Sequence, residues 1–192
     1  MPNISGESWF PSVVVWKSIF DNIDNDSIVG YTNFLKNKSS GKTVSNYGGW
    51  QSDQMFLAPN TPTELKKLFE NISECLFKIG KEYSYKKIPC LADYWINVNS
   101  FGNFNYPHLH GSSTISGVYY VKANGDGIFR IVRSQEEQWL WRTFTDIKHK
   151  DTANYCDYKP VESSALFFPS WVSHMVTPLE QGERISIAFN AF

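Results

Sequence analysis

Short segments of alternating apolar and polar residues follow one another through the C-terminal half of this chain, separated by turn residues. A period of two is the pattern of a β-strand that buries one face. Seven or eight such segments, counting the histidine-containing stretch Asn105–Gly111, predict an antiparallel β-sandwich or barrel. The remaining segments are Tyr94–Asn99, Ile115–Lys122, Ile128–Val132, Gln138–Phe144, Ala165–Phe168, Val172–Thr177 and Ile185–Phe189.

The N-terminal part of the chain contains the pattern of one amphipathic helix. Between residues 62 and 80, apolar residues recur at spacings of three and four, so they share one helical face. Thr61, Pro62 and Glu64 match a capping box at the start of this helix.

A chain of 192 residues is most simply one domain. Residues 1–87 are expected to form a buttress of helix and strand, and residues 88–192 the β-core. Within the buttress we expect a strand at Phe10–Trp16 and a short helix at Ile28–Leu35, inside a long loop. Residues 145–160 are expected to form a polar loop in the core.

Composition excludes several classes of protein. Hydrophobic residues make up 42% of the chain and aromatic residues 16%, which is too apolar for a disordered chain. A formal net charge of −1 provides no electrostatic reason to expect nucleic acid or an anionic membrane as a partner. No apolar run approaches the roughly 20 residues that span a bilayer.

Cysteine usage and the N-terminus favour a cytoplasmic location. Cys75, Cys90 and Cys156 are odd in number and widely spaced, which fits unpaired thiols in a reducing compartment. The first residues lack the basic and apolar regions of a secretory signal.

Three histidines are candidates for a metal centre. His108 and His110 are two residues apart, so in an extended strand both imidazoles would lie on one face. His174 comes from a distant segment, and three imidazoles suit a first-row metal ion. Single histidines are more often structural, as expected for His149 in a charged loop, and paired histidines also occur without a metal.

Arg184 and Ser186 are candidates for binding an anion. They are two residues apart in a predicted strand, so they share a face, and a guanidinium matches a carboxylate with two hydrogen bonds. Burying this charge would be unfavourable unless it met an anion. The alternative is an outward Arg184 paired with Glu180 or Glu183.

In this order, the motifs resemble those of the Fe(II)/2-oxoglutarate-dependent oxygenase superfamily. The similarity is to its prolyl-hydroxylase-like branch and to uncharacterised oxygenases known from phage and bacterial genomes. It extends from about Tyr94 to the C-terminus and rests on Gly102–His108, Ser116–Val121, Gly127–Phe129, Ala165–Phe168, His174 and Arg184-x-Ser186.

The resemblance implies a mainly β chain with a double-stranded β-helix (jelly-roll) core. It implies an enzyme that uses Fe(II) and 2-oxoglutarate, releases succinate and CO₂ and hydroxylates a peptide or a small molecule, with ascorbate as candidate reductant. Halogenation, desaturation and demethylation remain open outcomes, as does a dimeric state. The location would be the host cytoplasm if the chain is phage-encoded. Arg184, Ser186 and Asn97 would contact 2-oxoglutarate.

The chain departs from the superfamily at His110, where a carboxylate ligand is usual. All three histidines could bind the metal, which is the arrangement we favour. His108 and His174 could instead bind it alone, with His110 behind them. A carboxylate from elsewhere, such as Asp126, could also complete the ligand set.

Two alternative functions remain at this stage. One is a cupin-type three-histidine metalloenzyme without 2-oxoglutarate, which would not need Arg184. The other is a non-catalytic jelly-roll binding protein.

The walls of the site can also be predicted. Asn97 and Asn99 are candidate lining residues, with at most one of Tyr119 and Tyr120, because neighbouring strand residues face opposite ways. Five tryptophans could form an aromatic groove, although strand tryptophans more often belong to the core: Trp50, Trp95, Trp139, Trp141 and Trp171.

Overall fold

The computed structural model describes residues 2–10, 13–134 and 154–192, without the side chains of residues 7–10. The predicted strand Gln138–Phe144 therefore lies outside the described residues, together with Trp139, Trp141 and His149.

The described chain contains twelve strands and two helices. The helices are α1 (Asn25–Lys36) and α2 (Thr63–Glu82). The strands are β1 (Asn3–Phe10), β2 (Val13–Ile19), β3 (Asn46–Tyr47), β4 (Trp50–Gln51), β5 (Leu91–Asn99), β6 (Phe104–His108), β7 (Ile115–Ala123), β8 (Phe129–Val132), β9 (Tyr155–Tyr158), β10 (Ser164–Pro169), β11 (His174–Val176) and β12 (Arg184–Ala191).

The strands form two antiparallel sheets. The large sheet has the order β1-β2-β10-β7-β12-β5-β4, and the small sheet has the order β3-β6-β11-β8-β9. From β5 onward the chain passes repeatedly between the sheets: β5, β7, β10 and β12 pair in the large sheet, whereas β6, β8, β9 and β11 pair in the small one. This is a double-stranded β-helix, and the predicted fold class is confirmed.

The two faces of the large sheet pack against different partners. On β12, Ile185, Ile187 and Phe189 join the apolar face of α2 in one core cluster. A second cluster combines residues of both sheets, among them Tyr120 of β7 and Phe129 of β8. The helices therefore cover one face of the large sheet, and the small sheet covers the other. The helix-side cluster draws on residues 1–87 and 88–192 alike.

The N-terminal third contributes more strands than the sequence predicts. β1 and β2 extend the large sheet, because β2 pairs with β10. Instead of a short helix at Ile28–Leu35, α1 has twelve residues, and Asp24 caps it by accepting hydrogen bonds from the backbone N–H groups of Asp26 and Ser27.

The predicted capping box of α2 is wrong. The N-cap position belongs to Pro62, without a side-chain hydrogen bond. Thr61 Oγ1 instead accepts from the backbone N–H of Ala58 at 2.9 Å, and Glu64 Oε1 accepts from that of Asp24 at 2.7 Å. Thr61 thus stabilises the turn before the helix, and Glu64 makes a tertiary contact with the residue that caps α1.

The predicted loop 145–160 is also wrong in part. Tyr155–Tyr158 forms β9, which pairs with β8 along the edge of the small sheet. In β9 the buried residues Cys156 and Tyr158 alternate with the exposed residues Tyr155 and Asp157. This pattern is too short to stand out in the sequence.

Within the described part of the chain, neither helix is both long enough and apolar enough to cross a membrane.

Gly117 is expected to be essential for packing at the centre of the large sheet. A Cβ there would lie 2.2 Å from Phe189 Cζ and 2.6 Å from the Leu166 carbonyl oxygen. Gly117→Ala should therefore lower the free energy of unfolding by about 1–3 kcal/mol, measured by urea denaturation. The matched control is Gly30→Ala at an exposed position of α1, where the new Cβ meets nothing within 4 Å. Its free energy of unfolding should rise by about 0.5–1 kcal/mol. Equal stability of Gly117→Ala and the parent would contradict this packing.

Candidate metal centre and anion pocket

His108 and His174 are brought together by strand pairing. His108 ends β6 and His174 begins β11, and the two residues lie directly opposite each other in the small sheet. Their ring centroids are 4.3 Å apart. Because they are cross-strand neighbours, the two imidazoles approach from adjacent backbones.

His110 reaches the same point by a different route from the one predicted. β6 ends at His108, so His110 is not a strand residue on the same sheet face. Its backbone N–H donates to the Ser170 carbonyl oxygen at 2.9 Å, and its ring lies 5.0 Å from that of His174. The chain leaves the small sheet after His108 and directs His110 back towards the other two rings.

The three histidines form a cluster that could hold a metal ion. One ring nitrogen from each lies within 4.8 Å of the others. No carboxylate joins this cluster among the residues that the structure describes. Asp126 is used elsewhere, since its Oδ1 accepts from the backbone N–H groups of Glu180 and Gln181 at 2.8 and 3.2 Å. Asp126 is thus not the missing ligand.

The hydrogen bonds on the far side of each ring determine its tautomer. Nδ1 of His108 contacts the Tyr106 carbonyl oxygen at 2.8 Å, and Nδ1 of His174 contacts that of Val172 at 2.9 Å. Nδ1 of His110 contacts Asn190 Oδ1 at 2.7 Å. A carbonyl oxygen can only accept, so every Nδ1 carries the proton and every Nε2 keeps a lone pair for a metal.

Burial keeps these imidazoles neutral. It lowers the pKa of His108 and His110, and it lowers the pKa of His174 well below the ordinary value. Neutral imidazole is the form that binds metal, so no proton has to leave before an ion can bind.

Arg184 is a buried cation without a carboxylate partner. It is 3% exposed, and its Nη2 donates to Asn99 Oδ1 at 3.0 Å. Its Nε and Nη1 have no partner in the described part of the protein. The alternative of an outward arginine is wrong, because Glu183 pairs with Lys122 instead, at 2.9 Å.

Tyr120 provides a second unused donor beside Arg184. Across β12, Ser186 lies opposite Asn97 of β5 and Tyr120 of β7. The Tyr120 hydroxyl is buried and has no partner among the residues described, and burial raises its pKa, so it remains a donor. The unused donors of Arg184 and Tyr120 fit a carboxylate group.

Tyr119 faces the opposite side of the large sheet. Its hydroxyl donates to Asn25 Oδ1 at 2.8 Å, and its ring stacks on Phe20. The alternation predicted for the two tyrosines therefore places Tyr120 alone at the site.

One cavity of about 420 Å³ joins the histidines and the arginine. The side chains of Asn97 and Ser186 line it, as predicted, with apolar walls from Val118, Phe129 and Phe168. A volume of this size accommodates a small organic molecule.

Of the three candidate groove tryptophans that the structure describes, Trp95 alone lines the cavity. Trp50 is a core residue whose Nε1 donates to the Ser39 carbonyl oxygen. Trp95 does line the cavity, with its ring 5.5 Å from that of His110, but Trp171 is exposed and is not a lining residue.

The aromatic surface at the cavity entrance comes instead from β3 and β6. Tyr47 stacks on Phe104 at 4.8 Å between centroids, and Tyr106 meets Phe104 edge-on at 4.9 Å. Tyr106, Val44 and Leu109 line the cavity, and all three are more than half exposed. We call Val44, Tyr106 and Leu109 the apolar rim.

Sequence reasoning missed Asp93 and Asn190, which stand behind His110. Asn190 accepts from His110 and donates through Nδ2 to Asp93 Oδ1 at 2.8 Å. Strand alternation could have found both, because Asn190 shares a face with Arg184 and Ser186, and Asp93 shares one with Asn97.

Comparisons with known proteins identify a family for this chain. A family model described as "Putative 2OG-Fe(II) oxygenase" matches residues 93–190 of the 192-residue chain. No curated protein matches the sequence.

Solved structures share the fold at low sequence identity. A viral collagen prolyl hydroxylase from Paramecium bursaria Chlorella virus-1, in complex with 2-oxoglutarate, is 16% identical with a TM-score of 0.60, covering 92% of this chain and 94% of that one. A Pseudomonas putida prolyl-4-hydroxylase is 13% identical with a TM-score of 0.62, covering 98% and 92%. The α-ketoglutarate-dependent carbocyclase SnoK from nogalamycin biosynthesis is 11% identical with a TM-score of 0.60, covering 93% and 78%.

The family match covers half of the chain and includes all three histidines and Arg184. The chain belongs to the 2OG-Fe(II) oxygenase family, and as a member it is an oxidoreductase that depends on Fe(II) and 2-oxoglutarate.

Proposed function

We propose that His108, His110 and His174 hold Fe(II), that Arg184 binds the distal carboxylate of 2-oxoglutarate, and that the enzyme hydroxylates an uncharged peptide or small molecule. Ser186, Asn97 and Tyr120 assist Arg184. Family membership already selects an oxygenase over the cupin-type and non-catalytic alternatives. The assignment depends on one observation. The buried Nε and Nη1 of Arg184 have no partner among the described residues, and Arg184 lines the same cavity as the three histidines, whose Nε2 atoms are free.

Arg184 has the chemistry to select and orient the cosubstrate. Its free Nε and Nη1 point to an anion, and a dicarboxylate that also contacts the metal would be held at both ends. Asn99 holds Nη2, so the guanidinium cannot rotate freely. Bound iron and 2-oxoglutarate supply the oxidation by dioxygen, with succinate and CO₂ as co-products.

The cavity walls combine apolar surface with few ionisable side chains. Val118, Phe129 and Phe168 supply apolar surface on both sheets. Apart from the histidines, Tyr106, Tyr120 and Arg184, no residue of the described lining has an ionisable side chain. This fits an oxidation in which the cofactor carries the chemistry and the protein orients and shields it.

A ligand set of three imidazoles has a consequence for charge. Imidazole is neutral, whereas a carboxylate would cancel one positive charge of Fe(II). The dianion 2-oxoglutarate offsets the charge that remains, so cosubstrate binding and metal binding should strengthen each other.

The substrate is proposed to be uncharged where it enters the cavity. Arg184 is the one charged side chain in the described lining, and it is used by the cosubstrate. The apolar rim, with Phe104 and Tyr47 beside it, offers flat aromatic surface to an apolar or ring-bearing segment. Two similar structures are named as prolyl hydroxylases, which supports a peptide substrate and hydroxylation.

The full chain with Fe(II), 2-oxoglutarate and ascorbate in air should release succinate slowly without substrate and faster with a matching one. A Pro-Pro-Gly repeat peptide is a suitable uncharged probe, and the same peptide with an Asp in each repeat is its control. Mass spectrometry should find one added oxygen atom in the uncharged peptide alone. Absence of any succinate would contradict the oxygenase assignment, and succinate without oxygen transfer to uncharged probes would contradict hydroxylation.

Removing His110 should weaken metal binding, since a third of the ligand set is lost. In an anaerobic Fe(II) titration, His110→Ala should bind at least about 10-fold more weakly than the parent. His110→Asp restores a ligand and should recover most of the affinity. Asp126→Asn is the matched control and should bind like the parent. Unchanged affinity in His110→Ala would mean that His108 and His174 bind the metal without it.

Arg184→Ala should separate cosubstrate binding from metal binding. Loss of one partner of a buried charge pair costs about 2–5 kcal/mol, so 2-oxoglutarate should bind at least about 30-fold more weakly. Fe(II) affinity measured without 2-oxoglutarate should stay unchanged. Arg130→Ala, which removes a surface pair with Asp157, is the control for loss of an arginine. An equal loss of both affinities would make Arg184 a structural residue.

A further inference from the structure

A chain of two hydrogen bonds connects His110 to a buried carboxylate. His110 Nδ1 donates to Asn190 Oδ1 at 2.7 Å, and Asn190 Nδ2 donates to Asp93 Oδ1 at 2.8 Å. Asp93 is 5% exposed. The fold dictates the order of this chain, because Asn190 on β12 lies directly opposite Asp93 on β5.

Asn190 is held from its other side by β7. Ser116 lies directly opposite Asn190 on that strand, and its Oγ donates to Asn190 Oδ1 at 2.9 Å. Asp93, Asn190 and Ser116 thus form one row across three hydrogen-bonded strands. The side chain of Asn190 cannot leave this row without breaking contacts with both neighbours.

The charge on Asp93 decides which way the Asn190 amide points. A carboxylate accepts hydrogen bonds and cannot donate them, so the NH₂ group must face Asp93. The amide oxygen must then face His110. If the amide turned round, its oxygen would face the carboxylate and its NH₂ group would face the His110 Nδ1–H, and both contacts would be repulsive.

We propose that Asp93 is a positioning residue that, through Asn190, keeps the proton of His110 on Nδ1 and its Nε2 free for the metal. This inference rests on the proposed role of His110 as a ligand and extends it to two residues that touch neither metal nor substrate. The Asp93 carboxylate thus lies two hydrogen bonds behind the His110 imidazole.

The burial of Asp93 also indicates a cation at the centre. Within residues 2–10, 13–134 and 154–192, Asp93 forms no ion pair, and its one side-chain hydrogen bond comes from Asn190. A buried carboxylate with so little compensation is unfavourable in the metal-free protein. A divalent ion on the histidines would supply the missing positive charge, so metal binding and the Asp93 charge should stabilise each other.

Asp93→Asn tests the proposal because it keeps the shape and removes the charge. An asparagine can donate as well as accept, so the Asn190 amide is no longer held in one orientation. In the metal-free full chain, ¹⁵N NMR of the His110 ring should show Nδ1 protonated in the parent and a mixture of both tautomers in Asp93→Asn. The tautomers of His108 and His174 should not change, since backbone carbonyls set them.

Metal affinity provides a second readout. Co(II) titration, followed by the visible absorption of the bound ion, should show about 10- to 100-fold weaker binding in Asp93→Asn and in Asn190→Ala. Asp53→Asn removes the same charge from an exposed pair with Lys42 and should bind Co(II) like the parent. Thermal unfolding of each metal-free variant separates loss of affinity from loss of fold, and Asn190→Ala replaces Asp93→Asn if the latter does not fold.

The outcomes separate this inference from the proposed function. If the parent binds Co(II) and His110→Ala does not, but Asp93→Asn matches the parent in tautomer and affinity, the positioning role is overturned and the metal centre stands. If His110→Ala binds Co(II) as tightly as the parent, the ligand role of His110 fails, and the inference fails with it. A tautomer shift with a parallel loss of affinity supports both.

Discussion

Strand β12 pairs with β5 on one side and β7 on the other, and the rest of the molecule depends on that position. Its residues alternate between two environments. Ile185, Ile187 and Phe189 pack with α2 on one face, while Arg184, Ser186, Ala188 and Asn190 face the small sheet. One short strand therefore supports the core, contains the arginine that we propose binds an anion, and holds Asn190 behind His110. The close packing of Gly117 against Phe189 keeps these strands in contact.

Two buried charged side chains, one on each side of the histidines, have no oppositely charged partner among the described residues. Arg184 is a buried cation with two unused donors, and Asp93 is a buried anion without an ion-pair partner among the described residues. The histidines between them are neutral and each keeps one nitrogen free. A dicarboxylate would complete the site of Arg184, and a divalent cation would complete that of the histidines. The described residues thus leave uncompensated charge where we propose that the two cofactors bind.

His110 lies near the other two histidines, as its spacing from His108 predicts, but strand alternation is not what places it there. The i and i+2 argument assumes that the strand continues through both histidines, but β6 ends at His108. Convergence comes instead from the Ser170 contact to its backbone and from Asn190 on its ring. Both partners lie far away in the sequence, so no local pattern contains them. The position of Trp50 in the core rather than in a groove has the same cause, because its burial is decided by its neighbours in space.

The sequence by itself determined the class of fold, and it identified the three histidines as candidate metal ligands and Arg184 and Ser186 as candidate anion-binding residues. Both follow from alternation and residue chemistry, which are local properties. It also separated Tyr119 from Tyr120 by alternation alone. The tertiary structure decided the tautomers of the histidines and the pairing of β9 with β8. It also decided that Glu183 pairs with Lys122 rather than with Arg184, and that Asp93, Asn190 and Ser116 lie in one row. Each of these depends on which strands become neighbours, and strand register is set by packing over the whole sheet rather than by any one segment.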